Sequence, residues 1–169
     1  MARKTAIKAT AALTHVDAKG AAHMVDVGAK PETLRTAVAT AAVRMSRGTL
    51  AAVVARSGPK GDVLAVARVA ALSGLKQTSA LIPLCHPVRV VGAEVDLRPD
   101  SRLSGVRVKV TVTAFDRTGV EMEAMMGASL AALTVYDMVK GMERGVTIEA
   151  LQLEEKSGGR RGVWRRVPS

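Results

Sequence analysis

Val91-Gly92-Ala93-Glu94-Val95-Asp96-Leu97 and Val106-Arg107-Val108-Lys109-Val110-Thr111-Val112-Thr113 decide the fold. In both runs apolar residues alternate with polar or small ones, the period of two that gives a strand one buried and one wet face. Pro99-Asp100-Ser101 between them is a turn signal, and Asp116-Arg117-Thr118-Gly119 closes the second run. The spacing predicts an antiparallel hairpin.

Toward the C-terminus, Met122 to Met142 is rich in Ala, Met and Leu and reads as a helix with Met126, Leu130, Leu133 and Met138 toward the core. Asp137 and Lys140, three apart, are neighbours on its surface. Gly141 and Gly145 end the helix, Val146 to Leu153 reads as a last strand, and residues 157–169 read as a flexible basic tail.

Toward the N-terminus, Asp62 is an N-cap for a helix with Leu64, Ala67, Ala71 and Leu75 on one face, ending before Pro83. Ser46 caps a shorter helix through Val54. The loop Ser57-Gly58-Pro59-Lys60-Gly61 sets Lys60 at a helix N-terminus, where backbone N–H groups and the dipole favour an anion. It lacks the Walker A spacing. Residues 33–45 fit a helix through Leu34, Val38, Ala41 and Met45, and equally a strand through Thr36, Val38 and Thr40. His23-Met24-Val25-Asp26-Val27 reads as a short strand, and residues 1–12 as a loose tail. With no internal repeat, hairpin connections mixed with helices imply one α+β domain, residues 13–156, with a mainly antiparallel sheet.

The 169 residues carry a formal net charge of +10, which favours anionic partners. With 48% hydrophobic and 24% charged residues, global disorder is excluded. Phe115, Tyr136 and Trp164 are the only aromatics, too few for a single-strand nucleic-acid platform, and no basic run forms a duplex-binding arm. One cysteine rules out an internal disulfide and suits the cytoplasm. No stretch approaches the roughly 20 apolar residues of a membrane helix.

Two rigid junctions carry the chemistry. Leu81-Ile82-Pro83-Leu84-Cys85-His86-Pro87 locks the only cysteine and one of three histidines between prolines. A zinc site is opposed by the absence of a second ligand pair, and a Cys–His nucleophile pair by adjacency in sequence. Cys85 therefore reads as a small buried side chain, and His86 suits either a substrate contact or a structural turn. Gly119-Val120-Glu121-Met122-Glu123 sets two carboxylates two apart where strand gives way to helix. Glu123 and Asp137 on one helix stand roughly 21 Å apart at ~1.5 Å per residue. One small metabolite does not span that distance, so either the two residues serve different sites or an oligomer's neighbouring helix completes one site, and the oligomer is the working expectation.

Together these motifs resemble those of the cyclic pyranopterin monophosphate synthase family, molybdenum cofactor biosynthesis protein C (MoaC). The resemblance rests on Lys60-Gly61-Asp62-Val63 with Ala67-Arg68, the segment 81–87, Gly119 to Ala124, Leu133-Thr134-Val135-Tyr136-Asp137-Met138 and Lys156-Ser157-Gly158-Gly159. Leu13-Thr14-His15-Val16-Asp17 and Ala22 to Val27 match its N-terminal pattern. It implies a ferredoxin-like α+β fold with helices on one face of the sheet, and residues 33–45 as a strand. It also implies a homohexamer, a trimer of dimers with the active site at the dimer interface. The implied activity is a lyase acting on a guanosine-derived cyclic triphosphate, with release of diphosphate and no redox change. By position, the resemblance makes Asp137, Lys60 and Lys140 catalytic. Its substrate segments fall on Leu84, Cys85 and His86 and on Met122 and Glu123; Glu121, His23 and Lys156 complete the expected substrate-binding set, with Arg35 a further cation that a triphosphate needs. No metal or cofactor is expected, nor nucleic acid or a membrane. A basic nucleic-acid-binding module and a non-catalytic regulatory relative are the rival readings. The family tends to alanine where this chain has Ser73-Gly74-Leu75, and Gly127 interrupts the last helix, which bears on helix packing.

Overall fold

The predicted hairpin is present and forms one edge of the sheet. A computed structural model describes residues 20–159 and 162–167. In chain order it contains β1 (Thr33–Arg44), α1 (Arg47–Val54), α2 (Val63–Leu75), α3 (Thr78–Leu81), β2 (Val90–Asp100), β3 (Gly105–Asp116), α4 (Glu121–Val139), β4 (Thr147–Ser157) and β5 (Trp164–Arg165). The strands pair in the order β2-β3-β1-β4-β5, every pair antiparallel. Without β5 this is the ferredoxin-like βαββαβ arrangement. The motif Leu13–Asp17 and the expected N-terminal tail lie outside the described residues.

Register explains the core. Ala37, Ala39, Ala41 and Val43 of β1 lie opposite Val112, Val110, Val108 and Val106 of β3. All eight are buried on the face against which α4 packs. The ambiguity over residues 33–45 resolves as strand because β1 is central and takes hydrogen bonds from both β3 and β4. Leu34, a core position on the helical reading, is exposed. The opposite sheet face carries Thr40, Asp96, Arg107, Lys109, Gln152 and Glu154 around an open groove of about 650 Å³. None of the expected site residues lies there.

Ser46 and Asp62 cap α1 and α2 as expected, accepting from the backbone N–H groups of Thr49 and Ala65. The buried face of α4 differs from the expected one. It consists of Ala124, Gly127, Ala128, Ala131, Ala132, Val135, Met138 and Val139, whereas Leu133 is exposed. The cause is close packing of α2 on α4. A Cβ at Gly74 would stand 2.8 Å from Leu130 Cγ, and one at Gly127 would stand 3.1 Å from Val110 Cγ1. The two glycines that depart from the family's tendency thus let these layers meet.

Two further expectations are corrected. Residues 23–27 form no strand; Ala22 alone makes an isolated bridge. Within the expected C-terminal tail, Ser157 ends β4 and Trp164–Arg165 pair with Glu155 and Lys156 as β5.

Candidate active site

Two clusters of functional side chains occupy the two ends of α4. The first surrounds its N-terminus. The backbone N–H of Cys85 donates to Ile82 O at 3.1 Å, closing the proline turn that presents Cys85 and His86. The Cys85 thiol donates to Glu123 Oε1 at 3.8 Å, and Glu123 Oε2 is buried with no partner among the described residues. Burial pushes the Glu123 carboxyl up from its ordinary pKa. Burial, and then the Glu123 carboxylate, do the same to the Cys85 thiol, so Cys85 is a poor nucleophile. Glu121, one turn edge away, accepts from Lys156 Nζ at 2.8 Å.

One extra residue in β4 aims Lys156 at this cluster. Ala39 pairs with Leu153, but the next position, Val38, pairs with Glu155, leaving Glu154 as a bulge. Uninterrupted alternation from the core-facing Leu153 would turn Lys156 toward the polar sheet face. The bulge restores it to the helix side, opposite buried Ala37. Beyond it, Gly158 and Gly159 adopt φ of +98° and +69°. A side chain at either would collide with the Leu34 carbonyl or the Arg35 side chain, so the Ser-Gly-Gly turn requires glycine.

Lys156 and Glu121 line a cavity of about 1250 Å³ with Lys30, Arg35, Arg117 and Trp164. Arg35 is fixed there, donating to Asp116 O at 3.3 Å and Arg117 O at 3.2 Å. Cations thus outnumber the one carboxylate on the cavity wall. An anionic ligand fits it.

The second cluster lies at the C-terminal end of α4. Lys60 Nζ donates to Asp137 Oδ2 at 2.8 Å and to the Asp137 carbonyl at 3.0 Å. Lys140 Nζ stands 2.5 Å from Asp137 Oδ1. Hydrogen bonds from Lys140, then Lys60, hold the Asp137 carboxyl at a pKa of about 2. The same contact raises Lys140. All three side chains are about half exposed, so solvent screens the cluster and leaves its lysines accessible to an anion.

All the expected catalytic residues therefore meet in one cluster. Cys85, Glu121, Glu123 and Lys156 meet in the other. Leu84 and His86 share the Cys85 turn and are half-buried, while Met122 projects outward from the first turn of α4. His23 is exposed, and Val25 rather than His23 lines the cavity. Sequence reasoning missed Lys30, Arg117 and Trp164. Arg117 had a signal in the turn that closes the hairpin; the others become neighbours only through β1 and β5. Among the described residues, no group of three or more His, Cys, Asp or Glu is placed to hold a metal ion, and no helix is long and apolar enough to cross a membrane.

The MoaC family matches residues 24–159. The chain belongs to the MoaC family. Curated relatives extend the likeness to nearly the whole chain. The cyclic pyranopterin monophosphate synthase of Thermomicrobium roseum is 51% identical over 156 residues, 92% of this chain and 94% of that protein. Those of Nostoc sp. and Brucella ovis are 50% and 49% identical, covering 92% and 90% of this chain and 92% of each relative. Both α4 clusters of this MoaC-family chain fall inside the family match.

Proposed function

We propose that the chain is a cyclic pyranopterin monophosphate synthase of molybdenum cofactor biosynthesis, a lyase. Its substrate is (8S)-3′,8-cyclo-7,8-dihydroguanosine 5′-triphosphate, and its products are cyclic pyranopterin monophosphate and diphosphate. The name of its relatives supports the reaction. The observation that carries the site is the division of functional residues between the two ends of α4. Lys60, Asp137 and Lys140 lie roughly 21 Å from Glu123 at ~1.5 Å per residue. A homo-oligomer in which one subunit's Lys60–Asp137–Lys140 cluster faces the next subunit's Cys85–Glu121–Glu123–Lys156 cluster makes a single complete site. Exposed Val66 and Val69 on α2 and Leu133 on α4 supply apolar surface for such contacts. A trimer of dimers in the cytoplasm, with residues 13–156 as the catalytic domain, is the assembly we infer.

Closing the cyclic phosphate forms one P–O bond at the α-phosphorus and breaks the bond to the departing diphosphate. The incoming hydroxyl loses a proton, and the charge on the leaving diphosphate is met by cations. Lys60 and Lys140 serve as acid and base groups and Asp137 orients them. Raised by its partner, Lys140 acts in its protonated form. His86, Glu121 and Glu123 read the pterin-forming ring, and Lys156 and Arg35 meet the phosphates. A coupled assay for pyranopterin product, wild type against Lys60→Ala and Asp137→Asn, tests this reading. Normal turnover in both variants would sink the assigned roles. Tight, salt-sensitive RNA or DNA binding that guanosine-derived triphosphates fail to displace would favour the nucleic-acid reading instead.

A further inference from the structure

Trp164 is the chain's only tryptophan, and it stands on the wall of the larger cavity. Its placement follows from register. Directly opposed residues of an antiparallel pair project to the same face. Ala37 is paired with Lys156, and Lys156 with Trp164, so the indole lies on the helix-bearing face beside the Lys156–Glu121 pair. The residue is 41% exposed, although burying its side chain in the core would gain more than any other side chain here. The one cation seated over an aromatic ring among the described residues is Arg89 over Phe115, so none of the described basic residues is seated over the indole face.

The strand is held without the ring. Arg165 Nε pairs with Glu155 Oε2 at 3.0 Å, and the backbone N–H of Arg166 donates to Glu154 O at 2.8 Å. The indole is therefore spare to the strand's anchoring and open to the cavity.

We propose that Trp164 is a substrate-binding residue, an aromatic platform on which the fused ring of the guanosine-derived substrate stacks while Lys156 and Arg35 meet its charged part. The proposal deepens the functional reading above and rests on it. A flat π-face suits a fused heterocycle and discriminates it from a bare polyphosphate, which the cations alone would also attract.

The test uses the full-length protein, in which one tryptophan makes emission a local reporter. Guanosine 5′-triphosphate is titrated as the probe, with inorganic tripolyphosphate as the phosphate-only arm. The expected result is saturable quenching by guanosine triphosphate and none by tripolyphosphate. In turnover, Trp164→Ala raises KM by about tenfold at unchanged kcat, the size of a lost base–aromatic stack, and Trp164→Phe recovers most of it. An unchanged KM in Trp164→Ala overturns the proposal, and so does equal quenching by both probes. Absence of wild-type turnover would sink the reaction assignment instead. The two titrations would then decide the platform alone: selective quenching by guanosine triphosphate sustains it, and its absence overturns it.

Discussion

The thiol of Cys85 points at a carboxylate, Glu123, whose second oxygen is buried without a partner among the described residues. Its carboxyl pKa is raised by burial above the unfolded value of 4.5. The stability linked to protonating Glu123 is therefore fully present below pH 4.5 and lost as pH rises through the folded value. Glu123→Gln removes the buried charge at neutral pH. We expect the thermal midpoint at pH 7 to rise by about 2–4 °C, the shift that about 1 kcal/mol produces at this chain length, and the difference to vanish near pH 4. A variant less stable than wild type at both pH values would contradict this account.

Asp137 has the opposite sign. With its pKa depressed to about 2, it stays ionised wherever the enzyme works, and its contribution to stability fades only as pH falls from 3.8 through about 2. Any acid limb of kcat above pH 4 therefore belongs to another group. Asp137→Asn keeps the fold, because the side chain is exposed, and lowers kcat by about 10²–10⁴, the range of a lost acid–base arrangement. Circular dichroism and the pH–rate profile check both halves.

If each site draws one cluster from each of two subunits, defects at opposite ends of α4 compensate in mixed assemblies. Asp137→Asn and Lys156→Ala, each nearly inactive alone, should regain roughly a quarter of wild-type activity when unfolded together and reassembled at equal ratio. That fraction follows from random pairing of a sound cluster with a sound cluster. Activity no greater than the sum of the separate variants would mean that the clusters serve different sites.

Close packing of α2 on α4 sets a fourth expectation. Gly74→Ala gains up to ~1 kcal/mol of helix propensity. It also drives a Cβ into Leu130, whose nearest atoms are Cγ and Cβ rather than a flexible tip. Overpacking costs about 1–3 kcal/mol, so the clash wins. The chemical denaturation midpoint should fall, with turnover unchanged below it.

The sequence revealed most where a local pattern coincided with its tertiary use. Alternation in 91–97 and 106–113 marked β2 and β3, and Ser46 and Asp62 marked their helices, because pleat and cap are local devices. Residues 33–44 were illegible because alanines separated by β-branched residues satisfy both periods, and only two flanking strands choose between them. The face of α4 was misread because Leu133 outweighs alanine in hydrophobicity, whereas the packed surface was selected for smallness. Within the site, the residue types at both ends of α4 were legible, but the walls supplied by Lys30, Arg117 and Trp164 were not. They converge through register, which no linear spacing encodes.

The bulge at Glu154 gives the end of the chain a parity. Lys156 and Trp164 keep their orientation only while the number of residues after Leu153 is preserved, since each removal exchanges the two sides of the sheet for everything downstream. Many replacements at Glu154 would leave that count intact, whereas deleting it would not. Such a segment tolerates drift in spelling but not in length, so gaps in this stretch mark lost function more reliably than altered letters.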